Sequence, residues 1–347
     1  MFQLDINNAF LYGDFDEEMY MKLPHGLVSS SASLPSSSLV GKLQKSLYRL
    51  RQASRQWYAK LSHALCSRGY SHSLNDYSFS VKKCGSSIVL IVVYVDGIIL
   101  TGNDLDEISS LKAFLDSQFK IKDLGVLNYF LGIKVSYSFY GLLLHQKKFI
   151  RDLLHAYDCE LVSPVVSPLD LSTKLKADYS DLLPSPESYR SLVGKLNFLT
   201  HTRPDLCFAV QHLSQFLQTP RFPHMRADCP DIRKSVTGFC IFLGGCLVGW
   251  KAKKQPVVSL SSTEAEYHVI SKVVAELSWV ARLLSDFGIP TTTVIPVFCD
   301  NQAAIHIAKN PVFHERTKHI EVDCHFIRTK FTEGPISLHH FHICTIG

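Results

Sequence analysis

The stretch Ile88–Thr101, IVLIVVYVDGIILT, places two apolar, β-branched runs on either side of a single carboxylate, Asp96. Such runs favour strands, and Asp96-Gly97 between them is a strong signal for a tight type I′ turn, which needs positive φ at its centre. The stretch therefore predicts a buried β-hairpin. Two interpretations of Asp96 stay open: an ordinary turn residue, or a metal ligand that needs a second carboxylate from elsewhere in the chain.

The elements around this hairpin predict an α+β fold. Residues Phe2–Ile6 alternate like a half-buried strand that ends near Asp5, and a helical period begins at Lys42 and ends near Gly69. A second helix follows the hairpin, and further strands come after it. The order strand, helix, hairpin, helix, hairpin is typical of a split βαβ arrangement on an antiparallel sheet with helices on one face.

In that arrangement the end of the first strand and the tip of the hairpin can lie side by side. Asp5 and Asp96 would then face each other, and two carboxylates repel unless a divalent cation lies between them. A pair of this kind is the basis of a two-metal site for phosphoryl transfer. The sequence thus makes Asp96 a candidate metal ligand as well as a candidate turn residue.

Composition sets broad limits on function. The 347 residues are 46% hydrophobic and carry a net charge of +5, which permits a polyanionic partner without showing one. The ten scattered cysteines contain no C-x-x-C pair, which indicates reduced thiols in an intracellular protein. No apolar run reaches the roughly 18–20 residues of a membrane-spanning helix, so a membrane partner is not expected.

The first predicted helix carries many cations. They are Lys42, Lys45, Arg49, Arg51, Arg55 and Lys60. A solvated helix face is the commoner explanation of such a pattern. A face that contacts the phosphates of a nucleic acid is the alternative.

The second half contains a linker, two short helices and an α/β unit with three notable acids. Residues 161–183 are rich in Pro and Ser and predict the linker. Glu266 opens a long helix, where the helix dipole favours an acid, yet it lies on the apolar stripe, where an unpaired carboxylate is costly. Asp300 follows a strand, and Asp323 shares a helix face with His319.

Several long motifs resemble the Pol polyproteins of copia-type LTR retrotransposons, which are abundant in plant genomes. They are QLDINNAFLYGDFDEEMYMKLPHG, LYRLRQASRQWYAKL, YVDGIILTGND, FKIKDLGVLNYFLGI, HTRPDLCFAVQHLSQF, SSTEAEY and FCDNQAAIHIAKNPVFHERTKHIEVDCHFIR. The resemblance implies a reverse transcriptase palm in residues 1–160 and thumb-like connection helices in 161–225. It implies a truncated α/β RNase H-like domain with an aberrant C-terminus in 226–347. An intracellular site, in a cytoplasmic particle or the nucleus, goes with this lineage.

The resemblance also assigns roles in the polymerase half. The family copies an RNA template from a DNA primer using Mg²⁺, and Asp5 and Asp96 match its metal carboxylates. Gly97 stands where the family has a further aspartate, and Arg49 stands where it usually has glycine. Arg51 and Arg55 are the candidate contacts to nucleic acid. A fingers segment before Asp5 is expected to be missing.

In the RNase H half, which would act on an RNA–DNA hybrid, the resemblance assigns Glu266, Asp300 and Asp323 to three of four metal carboxylates. The fourth, with its strand, is expected to be lost in an internal deletion near residues 220–231. We therefore expect a catalytically inactive remnant of a reverse transcriptase and RNase H. A non-catalytic nucleic-acid-binding protein derived from a transposon, and an unexpressed pseudogene, are the alternatives.

Overall fold

The structure is a computed structural model that describes residues 1–14, 17–24, 40–163, 181–222, 235–255, 259, 261–309, 326–327, 329–330 and 336–341. The chain forms two compact units. The first contains Met1–Asn128 with Arg282–Pro290, and the second contains Tyr129–Ala281 with Thr291–Gly347. Helices and strands alternate in both, so the mixed α+β class that the sequence predicts is confirmed.

The first unit is built on a six-stranded antiparallel sheet in the order β4-β5-β6-β7-β1-β8. Its strands are β1 (Phe2–Ile6), β4 (Ser71–His72), β5 (Phe79–Cys84), β6 (Ser87–Tyr94), β7 (Gly97–Gly102) and β8 (Ile121–Val126). A separate pair, β2 (Met19–Lys22) and β3 (Val40–Leu43), is also antiparallel. The predicted hairpin is the β6–β7 pair at the centre of the large sheet.

Two helices, α1 (Ala53–Ser67) and α2 (Leu105–Phe119), pack with this sheet in one apolar core. Leu4, Ile98 and Leu100 are fully buried in the sheet, as are Leu111 and Leu115 on α2. Removing this apolar area from water is the main stabilising contribution to the unit. It also fixes the register of the central strands, because a slip of one residue would turn the apolar side chains to the opposite face.

The start of α1 differs from the prediction. The sequence predicts a helix from Lys42, but Val40–Leu43 is a strand and the helix begins at Ala53. Between them Arg49 has φ +76°, in the left-handed region that no helix can contain. The helical spacing of the leucines from 43 to 50 therefore does not reflect a helix, whereas Trp57, Leu61 and Leu65 do form the buried face of α1.

The second unit begins with a small antiparallel sheet followed by helices. Its strands are β9 (Tyr129–Phe130), β10 (Ile133–Ser138) and β11 (Gly141–His145), and its first helices are α3 (Lys147–Ala156), α4 (Pro186–Leu199) and α5 (Cys207–Leu213). Buried Gln146 joins these parts, since its amide donates to the Phe198 carbonyl at 3.1 Å and accepts from the Thr202 hydroxyl at 2.8 Å.

The rest of this unit holds two separate pairs of strands around a long helix. An antiparallel pair is formed by β12 (Val236–Leu243) and β13 (Cys246–Lys254). The helix α6 (Ser262–Asp286) follows, its last residues from Arg282 onward belonging to the first unit, then β14 (Ile295–Cys299), α7 (Gln302–Lys309) and β15 (Ile336–His340). Strands β14 and β15 pair in parallel, and within the described residues neither pair joins the other. Among the described residues, no helix has both the length and the apolar character needed to cross a bilayer.

Candidate active sites

The structure brings Asp5 and Asp96 together at one end of the central sheet. Asp5 lies directly across from Gly97 in the antiparallel β1–β7 pair, and the Ile6 amide donates to the Asp96 carbonyl at 2.9 Å. Asp5 is partly buried and Asp96 is exposed at the hairpin tip. The two carboxylates therefore belong to neighbouring positions, as the order of the elements predicts.

The hairpin turn is centred one residue earlier than the prediction. Tyr94 and Gly97 form the closing pair, so Val95 and Asp96 are the two central residues. Val95 has φ +58°, and neither Asp96 nor Gly97 has positive φ. A positive φ at the first central residue alone is the pattern of a type II′ turn rather than type I′. Gly97 is thus not required by the turn geometry.

A buried tryptophan, Trp57, holds this turn and is not among the residues that the sequence predicts for the site. The Trp57 indole N–H donates to the Val95 carbonyl at 2.7 Å, and the Trp57 ring makes an edge contact with Phe119 at 5.2 Å between centroids. The bond acts on a strained residue, because a β-branched side chain at positive φ is unfavourable. A tryptophan on the apolar face of a helix is a sequence signal for such a contact, because a buried indole N–H usually finds a hydrogen-bond partner.

Gly97 determines how many acids the hairpin site has. Residues directly opposite in an antiparallel pair project to the same face, so a side chain at 97 would stand beside that of Asp5. In this chain that place has no side chain. Among the described residues, three potential metal ligands come together only at Glu266, Cys299 and Asp300 in the other unit. Asp5 and Asp96 therefore remain a pair. Two neighbouring carboxylates can hold a divalent cation through their oxygens.

Three of the six cations near α1 are neutralised within the protein. Lys45 and Lys60 both contact the Asp14 carboxylate, at 3.0 and 2.6 Å, and Lys42 pairs with Glu18. The two lysines hold the pKa of Asp14 below its usual value. The other three cations are Arg49, Arg51 and Arg55. They are exposed, and within the described part of the chain they form no ion pair.

The backbone at Arg49 adopts a conformation that suits glycine. Its φ of +76° lies in the left-handed region, which costs an L-residue roughly 1–2 kcal/mol. The side chain is exposed and forms no ion pair among the described residues that offsets this cost. The position therefore favours glycine on physical grounds, in agreement with the residue that the resemblance leads one to expect there.

A second acidic cluster lies in the other unit. Potential ligand atoms of Glu266 on α6, Cys299 on β14 and Asp300 after β14 all lie within 4.8 Å of one another. Burial raises the pKa of Glu266, and the negative charge of Asp300 raises it further. Burial likewise raises the pKa of the Cys299 thiol, with both acids adding to the effect. The two acids raise each other's cost of ionisation, and a bound cation would remove this repulsion.

The remaining predicted acid of this cluster, Asp323, lies outside the described residues, as does its neighbour His319. The cluster lies next to the gap between the β12–β13 pair and the β14–β15 pair, which do not join within the described residues. Glu266 and Asp300 both line a groove of about 950 Å³ that also has walls from β12 and β14. The structure therefore gives two of the three predicted acids a common site.

Comparison with known proteins identifies the family of the chain. Residues 1–170 match the family described as "Reverse transcriptase (RNA-dependent DNA polymerase)". The Pol polyprotein from transposon RE1 of Arabidopsis thaliana is 36% identical over 373 residues, which cover 97% of this chain and 25% of that protein. The Pol polyprotein from transposon TNT 1-94 of Nicotiana tabacum is 33% identical over 370 residues, with 94% and 28% coverage.

Two further similarities are more limited. An uncharacterized mitochondrial protein of Arabidopsis thaliana is 36% identical over 228 residues, covering 54% of this chain and 93% of that protein. A foamy viral protease-reverse transcriptase solved in complex with double-stranded DNA covers 99% of this chain and 57% of its own, at 11% identity and a TM-score of 0.43.

The first half of the chain, residues 1–170, is a reverse transcriptase domain. The chain belongs to the Pol polyproteins of copia-type retrotransposons. It spans about a quarter of the length of the RE1 and TNT 1-94 relatives.

Proposed function

We propose that this chain is a remnant of a copia-type reverse transcriptase and RNase H that no longer catalyses DNA synthesis. In this account residues 1–160 are a polymerase palm, 161–225 are thumb and connection helices, and 226–347 are a truncated RNase H-like domain. The observation that carries the proposal is the Asp5–Gly97 pair. Asp5 and Asp96 are retained as acids, and the position that would complete the site carries no side chain.

The chemistry explains why this loss matters. In two-metal phosphoryl transfer, two Mg²⁺ ions activate the attacking oxygen and stabilise the leaving group, and several carboxylates hold them. The reverse transcriptase family uses divalent metal ions in general. Asp5 and Asp96 provide two carboxylates, and Gly97 leaves the site one acid short of the set that the resemblance implies.

Primer extension tests the polymerase proposal. The purified chain would be given an RNA template, an annealed DNA primer, deoxynucleotides and Mg²⁺, with Asp5→Asn as the matched variant. We expect no extension by either protein. Template-directed extension by the wild-type chain that is lost in Asp5→Asn would overturn the proposal.

The RNase H half is proposed to be inactive for a similar reason. Glu266 and Asp300 share a cluster, and we propose Asp323 as a third acid; among the described residues no further acid joins the cluster. Cleavage of the RNA strand of an RNA–DNA hybrid tests this half separately. Mg²⁺-dependent cleavage that disappears in Asp300→Asn would contradict the proposal.

A non-catalytic function in binding nucleic acid is the second candidate. Arg49, Arg51 and Arg55 favour it, because they are exposed and form no ion pair among the described residues, unlike the three neighbouring lysines. Exposed cations without partners are free to contact phosphates and to release counterions from a duplex. The RNA template, the DNA primer and the RNA–DNA hybrid are the partners that the lineage suggests.

The salt dependence of binding to an RNA–DNA hybrid tests this second function. Neutralising two phosphate contacts with Arg51→Gln and Arg55→Gln should reduce the slope of log affinity against log salt by about 1.8. Lys45→Gln removes the same charge from a residue already paired with Asp14, so we expect it to change the slope much less. Equal effects of the lysine and arginine variants would contradict a specific role for the arginines.

A further inference from the structure

The groove between the two strand pairs of the second unit is bordered by strands on two sides, as the space for a further strand would be. Consecutive residues of β12 (Gly238–Phe242) and of β14 with its following aspartate (Ile295–Asp300) line it. Side chains alternate between the two faces of a strand, so consecutive residues border the same space only along a strand edge. The groove is therefore bordered by two strand edges.

Both edges have backbone groups that are available for pairing. The Gln255 amide donates to the Ser235 carbonyl at 2.8 Å, and the β12–β13 register continues from there, so Gly238 and Cys240 direct their amides and carbonyls away from β13. The Phe341 amide donates to the Cys299 carbonyl at 3.0 Å. In the parallel β14–β15 pair the backbone groups of Pro296 and Phe298 therefore point away from β15. Among the described residues none of these four has a backbone partner.

The floor of the groove is apolar. It is formed by one face of α6, with the residues Val269, Ile270, Val273 and Leu277. Phe298 on β14 and Phe242 on β12 are more than half exposed, at 62% and 63%. An extended segment with apolar residues at alternate positions would cover this floor and pair with both edges at once, which is how β-strand addition recognises peptides.

The chain lacks sequence that its relatives contain. The RE1 alignment runs over 373 positions, whereas 97% of 347 residues is about 337, so the relative has several tens of positions with no counterpart here. We propose that the groove binds an extended β-strand from a second polypeptide, namely the corresponding segment of a longer Pol polyprotein. The groove and its edges carry this proposal independently of the proposed function, and family membership decides only which segment is tested.

A strand bound in this way would also complete the surroundings of the acidic cluster. Glu266 and Asp300 line the same groove, so side chains of the bound strand would lie beside both acids. The expected partner is thus recognised by backbone hydrogen bonds on two sides and by apolar side chains over α6. The side chains of the bound strand that lie near Asp300 would face Glu266 and Asp300.

Peptide binding to the full chain tests the proposal without any catalytic readout. Overlapping synthetic peptides would tile the segment of the RE1 Pol polyprotein that has no counterpart in this chain. We expect one of them to bind with 1:1 stoichiometry and to slow amide hydrogen exchange at Gly238, Cys240 and Phe298. A scrambled peptide and one N-methylated at alternate residues should bind at least about tenfold more weakly, because several hydrogen bonds are lost.

Pro296 offers a gain-of-binding variant. Pro296 has no amide proton, and its backbone faces the groove rather than β15. Pro296→Val therefore adds a hydrogen-bond donor to the edge that borders the groove and removes no β14–β15 hydrogen bond. We expect it to tighten peptide binding about fivefold. Absence of binding by every peptide, or exchange protection elsewhere, would overturn the proposal. So would a dimer of the chain that already protects these amides, because the edges would then be occupied by a second copy.

Discussion

Asp5 and Gly97 are direct partners in the antiparallel β1–β7 pair, and this places a residue without a side chain beside an acid at the tip of the central hairpin. The relationship explains two observations together. The site retains a pair of carboxylates in neighbouring positions, and it has no third acid among the described residues.

Gly97→Asp should restore a third carboxylate. Like charges directly opposite in a sheet cost about 0.2–1 kcal/mol, so we expect this variant to be less stable than wild type without divalent ions. Mg²⁺ should recover the loss, because a cation between the acids removes the repulsion. Thermal unfolding with and without Mg²⁺ measures both effects. Gly97→Asn is the matched control, and an equal Mg²⁺ response of the two variants would contradict the account.

Arg49→Gly should stabilise the first unit. Relief of the left-handed conformation gains roughly 1–2 kcal/mol, and the greater freedom of glycine in the unfolded chain offsets about 0.4–1 kcal/mol of it. The expected net gain is therefore about 0.5–1 kcal/mol in the free energy of unfolding, measured by urea denaturation. Arg49→Ala removes the same charge but keeps the strain, so it should give no gain. A similar gain in both variants would show that charge, rather than φ, is the cause.

Trp57→Phe should loosen the hairpin tip. The substitution removes the hydrogen bond to the Val95 carbonyl and leaves a ring that still packs against Phe119. We expect a loss of about 1 kcal/mol and faster hydrogen exchange at the Ile6 amide, which bonds to the adjacent Asp96 carbonyl. Trp250→Phe removes a comparable bond, to the Thr200 carbonyl, in the other unit. Exchange at Ile6 should not change in that control.

Glu266→Gln should stabilise the chain at neutral pH. Burial and Asp300 raise the pKa of Glu266 in the folded state, so its ionised form opposes folding. The penalty is absent below the unfolded-state pKa near 4.5, grows as the pH rises from there towards the raised folded-state pKa, and is constant above it. The stabilisation by Glu266→Gln should therefore appear above about pH 4.5 and vanish below it. Glu276→Gln, on the same helix but outside the cluster, is the matched control in thermal unfolding, and an equal gain in both variants would contradict the account.

The central hairpin and the pairing of its tip with the first strand could be predicted from the sequence. The β-branched runs carry a strong strand signal, and the order of the elements brings Asp5 to Asp96. The Asp96-Gly97 dipeptide predicts the centre of the turn one residue too late. Its position depends on which residues close the pair, and the ladders on both sides of the β6–β7 hairpin fix this through tertiary pairing.

Features that depend on distant partners were not accessible. Local spacing predicts the start of a helix where β3 lies, because β3 depends on pairing with the upstream strand β2, which local spacing does not reveal. The pairing of Lys45 and Lys60 with Asp14 spans 31 and 46 positions, so the sequence could not separate these lysines from the exposed arginines. The resemblance predicts the loss of a strand, but the groove, with two edges that have no backbone partner in the described part of the chain, is visible only in the structure.

Primer extension compared between the wild-type chain and Gly97→Asp tests the central claim most directly. Both would be assayed on the same RNA template and DNA primer in Mg²⁺, with Asp96→Asn as the negative control. The account predicts that the wild-type chain extends the primer no faster than Asp96→Asn. Template-directed extension by the wild-type chain, abolished in Asp96→Asn and not increased by Gly97→Asp, would contradict it.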